Sequence, residues 1–281
     1  MRRDAYRAKD VLGMEQISID LKPQRCISNV YINQKLDVTN LEKYLKEKKK
    51  NNPDLTYFHL FMTALGKVIY NRPKINRFVA DRHIWIHKEV VIAFVAKVKF
   101  DDKSEELMIQ VPFKEEDTLD SISQYIYDKV HKAREENVEK EGANDIVDTL
   151  AKLPNIIRVP VVGFLKWMDK KGILPASIQQ DNLYYSSMIV SNLGTLHSPS
   201  ILHNINDFGT CSVFVTMGEI KDEEVLIDGK KEIRKIVDFG INLDERIADG
   251  FYFIKCVKLI QYIFDHPELL EGKVSEKIEI E

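Results

Sequence analysis

The chain has few cysteines, no long apolar run and almost no excess of charge of either sign. Its three cysteines are odd in number and widely spaced, which argues against a disulfide framework and favours a reducing compartment. No run approaches the ~18 apolar residues that span a bilayer, and no apolar stretch follows the charged N-terminus as in a secretory signal. We therefore expect a cytoplasmic protein without a transmembrane segment.

The composition is that of an ordinary globular protein. Lysine and arginine total 41 and aspartate and glutamate 44, and the resulting net charge of −3 gives no reason to expect a nucleic-acid partner. Hydrophobic residues make up 44% and charged residues 30% of the chain, so a sizeable core is expected. We interpret residues 1–281 as a single domain, with an apolar insertion at about 150–182.

Periodicity predicts a mixture of helices and strands. Apolar residues spaced by three and four predict helices over 56–71, 118–134 and from 250 to 265. Alternation and short apolar runs predict an extended, mostly β segment over 15–39, a hairpin over 82–97 and strands over 185–191 and 211–217. Asp228-Gly229 is typical of a hairpin turn, here within 223–242. The mixture predicts an α/β fold.

One segment carries a concentration of chemical groups. Residues 244–250 read Asp-Glu-Arg-Ile-Ala-Asp-Gly and lie between a predicted strand and a predicted helix. The glycine permits a tight turn, and a helix N-terminus offers unpaired N–H groups. Taken by itself, Asp-Gly before a helix is also a common structural turn.

This segment resembles the Asp-His-Arg-x-x-Asp-Gly motif of the dihydrolipoyl acyltransferases of 2-oxoacid dehydrogenase complexes, and the His-His-x-x-x-Asp-Gly motif of chloramphenicol acetyltransferase. Residues 190–194, Val-Ser-Asn-Leu-Gly, are similar to a Ser-Asn-Leu-Gly segment of the dihydrolipoyl enzymes. The chain is thus identified as a member of the chloramphenicol-acetyltransferase-like superfamily. The resemblance implies a two-layer fold in which a mixed sheet is flanked by helices.

The resemblance also implies two catalytic residues. Position 245 holds the catalytic histidine in the relatives and a glutamate here, so Glu245 is the candidate base. In the dihydrolipoyl enzymes the serine that corresponds to Ser191 helps to hold the oxyanion, although Ser191 is about equally well explained as a turn residue. Asn192 lies in the same segment.

Other matched residues are expected to be structural. Arg25 lies in a segment similar to one of chloramphenicol acetyltransferase, whose arginine pairs with the motif aspartate. We therefore expect Arg25 and Asp249 to form an ion pair that holds the motif loop, with Gly250 opening the following helix.

Glutamate at position 245 prevents the family mechanism from being transferred unchanged. An ordinary glutamate has a pKa of about 4.3 and an ordinary histidine about 6.5, a difference of roughly 3 kcal/mol in proton-transfer driving force. Burial in an apolar pocket would recover part of this loss. Three interpretations stay open: an acyltransferase whose acceptor is already nucleophilic or positively charged, an inactive site on a binding or regulatory module, and another reaction. We favour the first.

The resemblance sets expectations for cofactors and partners. We expect no tightly bound cofactor, no metal, acyl-CoA as co-substrate and a small-molecule acyl acceptor. The relatives are trimers with active sites between subunits, so we expect a homotrimer. No lipoyl or subunit-binding domain is expected, because the catalytic-like part begins within the first twenty residues and no lipoyl-lysine motif occurs.

Two features lie outside the resemblance. Residues 153–175 are apolar, interrupted by prolines and bordered by basic residues. Ordinary packing is the favoured role for them, and an acyl pocket, a peripheral membrane contact and a subunit interface stay open. His197 and His203 follow Ser191, and either can replace the missing histidine base if the fold brings it to the site.

Overall fold

The computed structural model describes residues 2–97, 106–135, 149–180 and 182–280. The predicted link over 135–150 falls almost wholly outside them. The seven helices that we label are α1 Gly13–Leu21, α2 Thr39–Lys48, α3 Tyr57–Asn71, α4 Leu119–Glu135, α5 Asn155–Lys171, α6 Ala176–Gln179 and α7 Gly250–Asp265. The strands are β1 Ala5–Arg7, β2 Asn29–Asp37, β3 Arg77–Ala80, β4 His83–His87, β5 Val90–Lys97, β6 Glu106–Phe113, β7 Met188–Asn192, β8 Val213–Ile227 and β9 Lys230–Asp244.

The main sheet is mixed and has the strand order β2-β9-β8-β7-β5-β6. Only the pairs β5–β7 and β7–β8 are parallel, and the others are antiparallel. A second, antiparallel sheet has the order β1-β4-β3. Helices pack against the main sheet and form one large hydrophobic core with it. The predicted α/β architecture is confirmed.

Local signals explain most of these elements. Helix α3 has the predicted apolar spacing and is buried along most of its length. The β8–β9 hairpin turns at Asp228 and Gly229, which have φ values of 48° and 78°. Positive φ at both central residues is what a two-residue hairpin loop of this type requires, and Asp-Gly supplies it at low cost.

Two predictions for the first hundred residues were wrong. Residues 13–21 form helix α1 and not a strand; its exposed residues include Ile17, and only Glu15 and Ile19 are buried, so the apparent alternation did not mark a buried face. Residues 82–97 do not form a hairpin either. Strand β4 pairs with β1 and β3, whereas β5 joins the main sheet beside β6 and β7.

The predicted insertion contains α5 and α6. Helix α5 begins after Pro154 and continues through Pro160 to Lys171, where Gly172 ends it with a φ of 68°. No helix in the described part of the chain is both long enough and apolar enough to cross a bilayer.

Candidate active site

The loop after β9 is fixed by a buried ion pair between Asp244 and Arg246. Asp244 is fully buried, and both of its carboxylate oxygens accept from the Arg246 guanidinium, from Nε over 2.8 Å and from Nη2 over 2.6 Å. The Arg246 backbone amide also donates to Asp244 Oδ1 over 3.1 Å. Two charges buried together in this bidentate geometry hold the loop in one conformation.

Arg25 lies on the other side of Asp244. Its Nε is 3.8 Å from Asp244 Oδ2, while its Nη atoms donate to the carbonyls of Asn206 over 2.7 Å and Gly209 over 3.0 Å. Burial lowers the pKa of this guanidinium, and the charge of Asp244 opposes that effect. Arg25 therefore joins the motif loop to residues 206–209.

The predicted partner of Arg25 was wrong, because the structure pairs Arg25 with Asp244 and not with Asp249. The Asp249 carboxylate is instead the N-cap of α7 and accepts from the backbone amide of Tyr252 over 2.8 Å. An acidic N-cap satisfies a free amide and interacts favourably with the helix dipole. Gly250 is the first helical residue, and a Cβ there would meet no atom within 4 Å.

Glu245 is presented at the surface of this loop. Its backbone amide donates to the carbonyl of Ser28 over 3.0 Å, and its side chain is 32% exposed. The Glu245 carboxylate contacts the ammonium of Lys22, the residue that follows α1. The candidate base predicted from the sequence is thus a carboxylate that is accessible to solvent and paired with a lysine.

The pairing with Lys22 was not predicted. The backbone carbonyl of Lys22 accepts from Arg246 Nη1 over 2.9 Å, so the motif arginine also holds the end of α1 beside Glu245. A single sequence contains no signal for the contact between Lys22 and Glu245, because the two residues lie more than 200 positions apart in the chain.

Ser191 and Asn192 lie at the end of β7, away from the motif loop. Ser191 lies in register with Thr216 on the neighbouring strand β8, and Thr216 lies in register with Gly240 on β9. Asp244 is four residues farther along β9 and two strands away, which corresponds to a Cα separation of about 16 Å. One chain therefore does not bring Ser191 and Glu245 together. The Asn192 side chain accepts from the amide of Gly194 over 3.0 Å and shapes the turn after β7.

Residues 199–205 cross the sheet face to which Ser191 belongs, and we call them the crossing segment. His203 in this segment stacks on the ring of Phe214, with 4.3 Å between ring centroids and 7° between planes. His203 Nδ1 lies 2.8 Å from the carbonyl oxygen of Asn204. Because a carbonyl only accepts, Nδ1 must carry the proton, and in the neutral ring Nε2 is the basic nitrogen.

His197 has a similar arrangement beside a carboxylate. Its Nδ1 is 2.6 Å from Glu219 Oε1, and this hydrogen bond lowers the pKa of Glu219. The His197 side chain is 83% exposed. Both histidines thus have a tautomer suited to a base, and both are exposed to solvent. They differ in that the His203 ring also stacks on Phe214 of the sheet.

Comparison with known proteins bears on these residues only in part. Residues 16–150 match the sequence model of the family described as 2-oxoacid dehydrogenases acyltransferase (catalytic domain). The matched range includes Arg25 and ends before Ser191 and the motif loop. No curated protein sequence matches the chain.

Solved structures extend the likeness over almost the whole chain. The chain of the cubic core of the pyruvate dehydrogenase multienzyme complex superposes with a TM-score of 0.62 at 16% identity, over 94% of this chain and 93% of that one. Dihydrolipoamide acetyltransferase from Azotobacter vinelandii gives 0.61 at 15% identity, over 92% and 88%. Chloramphenicol acetyltransferase gives 0.55 at 9% identity, over 92% and 99%. The fold is that of the chloramphenicol-acetyltransferase-like acyltransferases. At these identities the likeness establishes the fold, and the chemistry must be argued from the residues.

Proposed function

We propose that the chain transfers an acyl group from a CoA thioester to a small-molecule acceptor, with Glu245 as the general base. The observation that carries this proposal is the clamp formed by Asp244 and Arg246, which holds a carboxylate at the motif position of the base and leaves it accessible.

The reaction needs one proton transfer at Glu245. The acceptor heteroatom attacks the thioester carbonyl carbon while the Glu245 carboxylate takes its proton. The C–S bond of the resulting tetrahedral species then breaks, the acyl group stays on the acceptor, and CoA leaves as a thiol with the proton returned. The Lys22 ammonium beside Glu245 supports a positively charged acceptor, because such a substrate can take the place of Lys22 against the carboxylate.

A second copy of the chain would complete the site. In the Azotobacter acetyltransferase, the roles of a serine, a histidine and an asparagine in catalysis have been investigated. Ser191, Glu245 and Asp249 follow one another with nearly the same spacing here, with two of the three side chains changed. Since Ser191 is about 16 Å from the motif loop of its own chain, we propose a homotrimer in which Ser191 of one subunit faces Glu245 of another.

Release of CoA from a panel of acyl-CoAs and acceptors tests this function. Glu245→Gln keeps the shape but cannot take a proton, so turnover should fall about 100-fold or more with an unchanged melting temperature. Glu223→Gln is the matched control, because it removes a carboxylate of similar accessibility, 33% exposed, that pairs with Lys35 far from the loop. Full turnover in Glu245→Gln together with its loss in His203→Gln would reject Glu245 and assign the base to His203.

A binding or regulatory module on an inactive site is the second candidate. The contact between Lys22 and Glu245 supports it, because an internal ammonium that neutralises the carboxylate would suit a site no longer used for chemistry. In that case the wild type shows no turnover with any acceptor, whereas Glu245→His gains it. Stabilisation of the wild type by CoA in thermal unfolding, without release of CoA from its thioesters, would favour the same interpretation.

A further inference from the structure

Helix α5 presents a continuous apolar surface to solvent. Only Asp169 of its 17 residues is buried. On the side of the helix opposite Asp169, six residues at alternating spacings of three and one form a stripe. We call this stripe the outer face, and its residues are Ile156, Val159, Pro160, Gly163, Phe164 and Trp167. Ile156 is 84%, Val159 65%, Phe164 58% and Trp167 50% exposed. An apolar stripe of this length on a monomer normally marks a binding surface.

The helix is attached firmly at its C-terminal end, so the outer face has a fixed direction. The Asp169 carboxylate accepts from the Tyr185 hydroxyl over 2.7 Å and from the Gly209 amide over 2.9 Å. Its backbone carbonyl accepts from Arg2 over 2.8 Å, and Lys171 forms an ion pair with Asp81 over 2.9 Å. These contacts leave the outer face pointing away from the rest of the chain.

The charges of α5 are almost all of one sign. Its basic residues are Arg158, Lys166, Lys170 and Lys171, and its single acidic residue is the buried Asp169. Phe164 and Trp167 stack on each other with 5.7 Å between ring centroids, at the end of the outer face that is nearest to the lysines. Apolar, aromatic and basic residues combined in this way are typical of helices that lie in the interface of an anionic bilayer.

We propose that α5 binds the surface of anionic membranes, with its outer face in the boundary between headgroups and acyl chains. Lys166 and Lys170 would contact lipid phosphates, whereas Lys171 keeps its ion pair with Asp81 and Arg158 its bonds to Ala151 and Asn155. Phe164 and Trp167 would lie at the level of the headgroups. A lipid surface fits Lys166 and Lys170 better than a two-fold pair of α5 helices does, because such a pair would place the lysines of both copies together. The proposed trimer must then leave the outer face of α5 outside its subunit interfaces. This proposal is independent of any activity at Glu245.

Flotation with vesicles tests the binding. The full chain should float with vesicles of phosphatidylcholine and phosphatidylglycerol and bind pure phosphatidylcholine about tenfold less well. Phe164→Glu should weaken binding to the anionic vesicles at least tenfold, because it places a negative charge at the centre of the apolar surface. Leu226→Glu is the matched control, since it adds the same charge at a residue 69% exposed on the β8–β9 hairpin.

Fluorescence locates the contact on the helix. The chain has two tryptophans, so Trp85→Phe leaves Trp167 as the only one. Its emission should shift to the blue on anionic vesicles and be quenched by lipids brominated on the acyl chain. Binding that is unaffected by Phe164→Glu, or a Trp167 that the brominated lipid does not quench, would overturn the proposal. It would also be overturned if the wild type fails to float while Phe164→Glu reduces the sedimenting mass, because α5 is then an interface between copies of the chain.

Discussion

Arg246 donates a hydrogen bond over 2.9 Å to the backbone carbonyl of Lys22, while its other nitrogens bind both carboxylate oxygens of Asp244. One guanidinium therefore fixes the strand end that leads into Glu245 and the helix end that carries Lys22. The contact between the Lys22 and Glu245 side chains follows from this arrangement, because both backbones are held beside the same arginine.

Replacing Arg246 by lysine should destabilise the fold, although the positive charge is kept. In Arg246→Lys one ammonium cannot reach both oxygens of Asp244 and the Lys22 carbonyl, so a buried carboxylate loses most of its partners. The charge stays, but leaving buried polar groups without hydrogen bonds costs about 1–3 kcal/mol, which should lower the melting temperature by roughly 5 °C in thermal unfolding. Arg234→Lys is the control, because Arg234 pairs with Glu232 near the surface, and equal shifts in the two variants would refute the clamp.

Lys22 should compete with a cationic acceptor for the carboxylate of Glu245. Lys22→Met removes the ammonium but keeps the backbone carbonyl that Arg246 binds, so the loop should stay intact. If the proposed reaction takes a positively charged acceptor, KM for that acceptor should fall several-fold in steady-state kinetics, and a neutral acceptor should show no such change. Lys35→Met controls for the loss of a surface lysine. Loss of turnover with every acceptor would show that Lys22 positions the carboxylate and does not compete.

The sequence allowed the elements with strong local signals to be predicted. Helix α3 and the hairpin turn at Asp228 depend on residue spacing and on turn chemistry, and both are confirmed. Helix α1 was missed because Ile17 and Ile19 alternate as in a strand, although Ile17 is exposed. Helix α5 was not assigned because Pro154 and Pro160 interrupt its pattern.

The sequence supplied candidate residues for the site, and their catalytic roles stay predictions, but it did not supply their contacts. The motif located Glu245, and the partner of Arg25 was wrong because two aspartates, Asp244 and Asp249, lie in the same loop. Only the packed chain shows which of them is buried beside Arg25 and which caps α7. Contacts between distant residues, such as that of Lys22, depend on tertiary packing, and a local pattern does not report them.

Acid should destabilise the start of helix α3 through His59. The backbone amide of Thr56 donates to His59 Nδ1 over 3.2 Å, which requires an unprotonated Nδ1, and burial lowers the pKa of His59 to about 4. Between pH 4 and 6.5 the unfolded chain binds the proton and the folded chain does not. Stability is therefore complete above about pH 6.5 and declines as the pH falls towards about 4.

The variant His59→Gln tests this dependence, because glutamine at the same position of a capping box accepts from the cap amide but does not titrate. Its melting temperature should decline less than that of the wild type between pH 6.5 and 4. Parallel curves for the two proteins would show that the acid sensitivity arises elsewhere.

Gly240 should be required for the crossing segment to lie on the sheet. A Cβ at position 240 would collide with the carbonyl oxygen of Ile201 and would come within 2.7 Å of Thr216 Oγ1. The Thr216 hydroxyl also donates to the Ile201 carbonyl, and the Asn242 side-chain amide donates to the His203 carbonyl. The new methyl group would push the crossing segment away from β9 and weaken these two hydrogen bonds. Gly240→Ala should therefore cost about 1–3 kcal/mol and make residues 199–205 sensitive to limited proteolysis. Gly13→Ala adds the same methyl group where no atom lies within 4 Å, so it should not lower stability and should leave the digestion unchanged. If the two variants are cut at the same rate, the segment is not held by its close approach to β9, and the position of His203 over Phe214 must depend on the stacked rings alone.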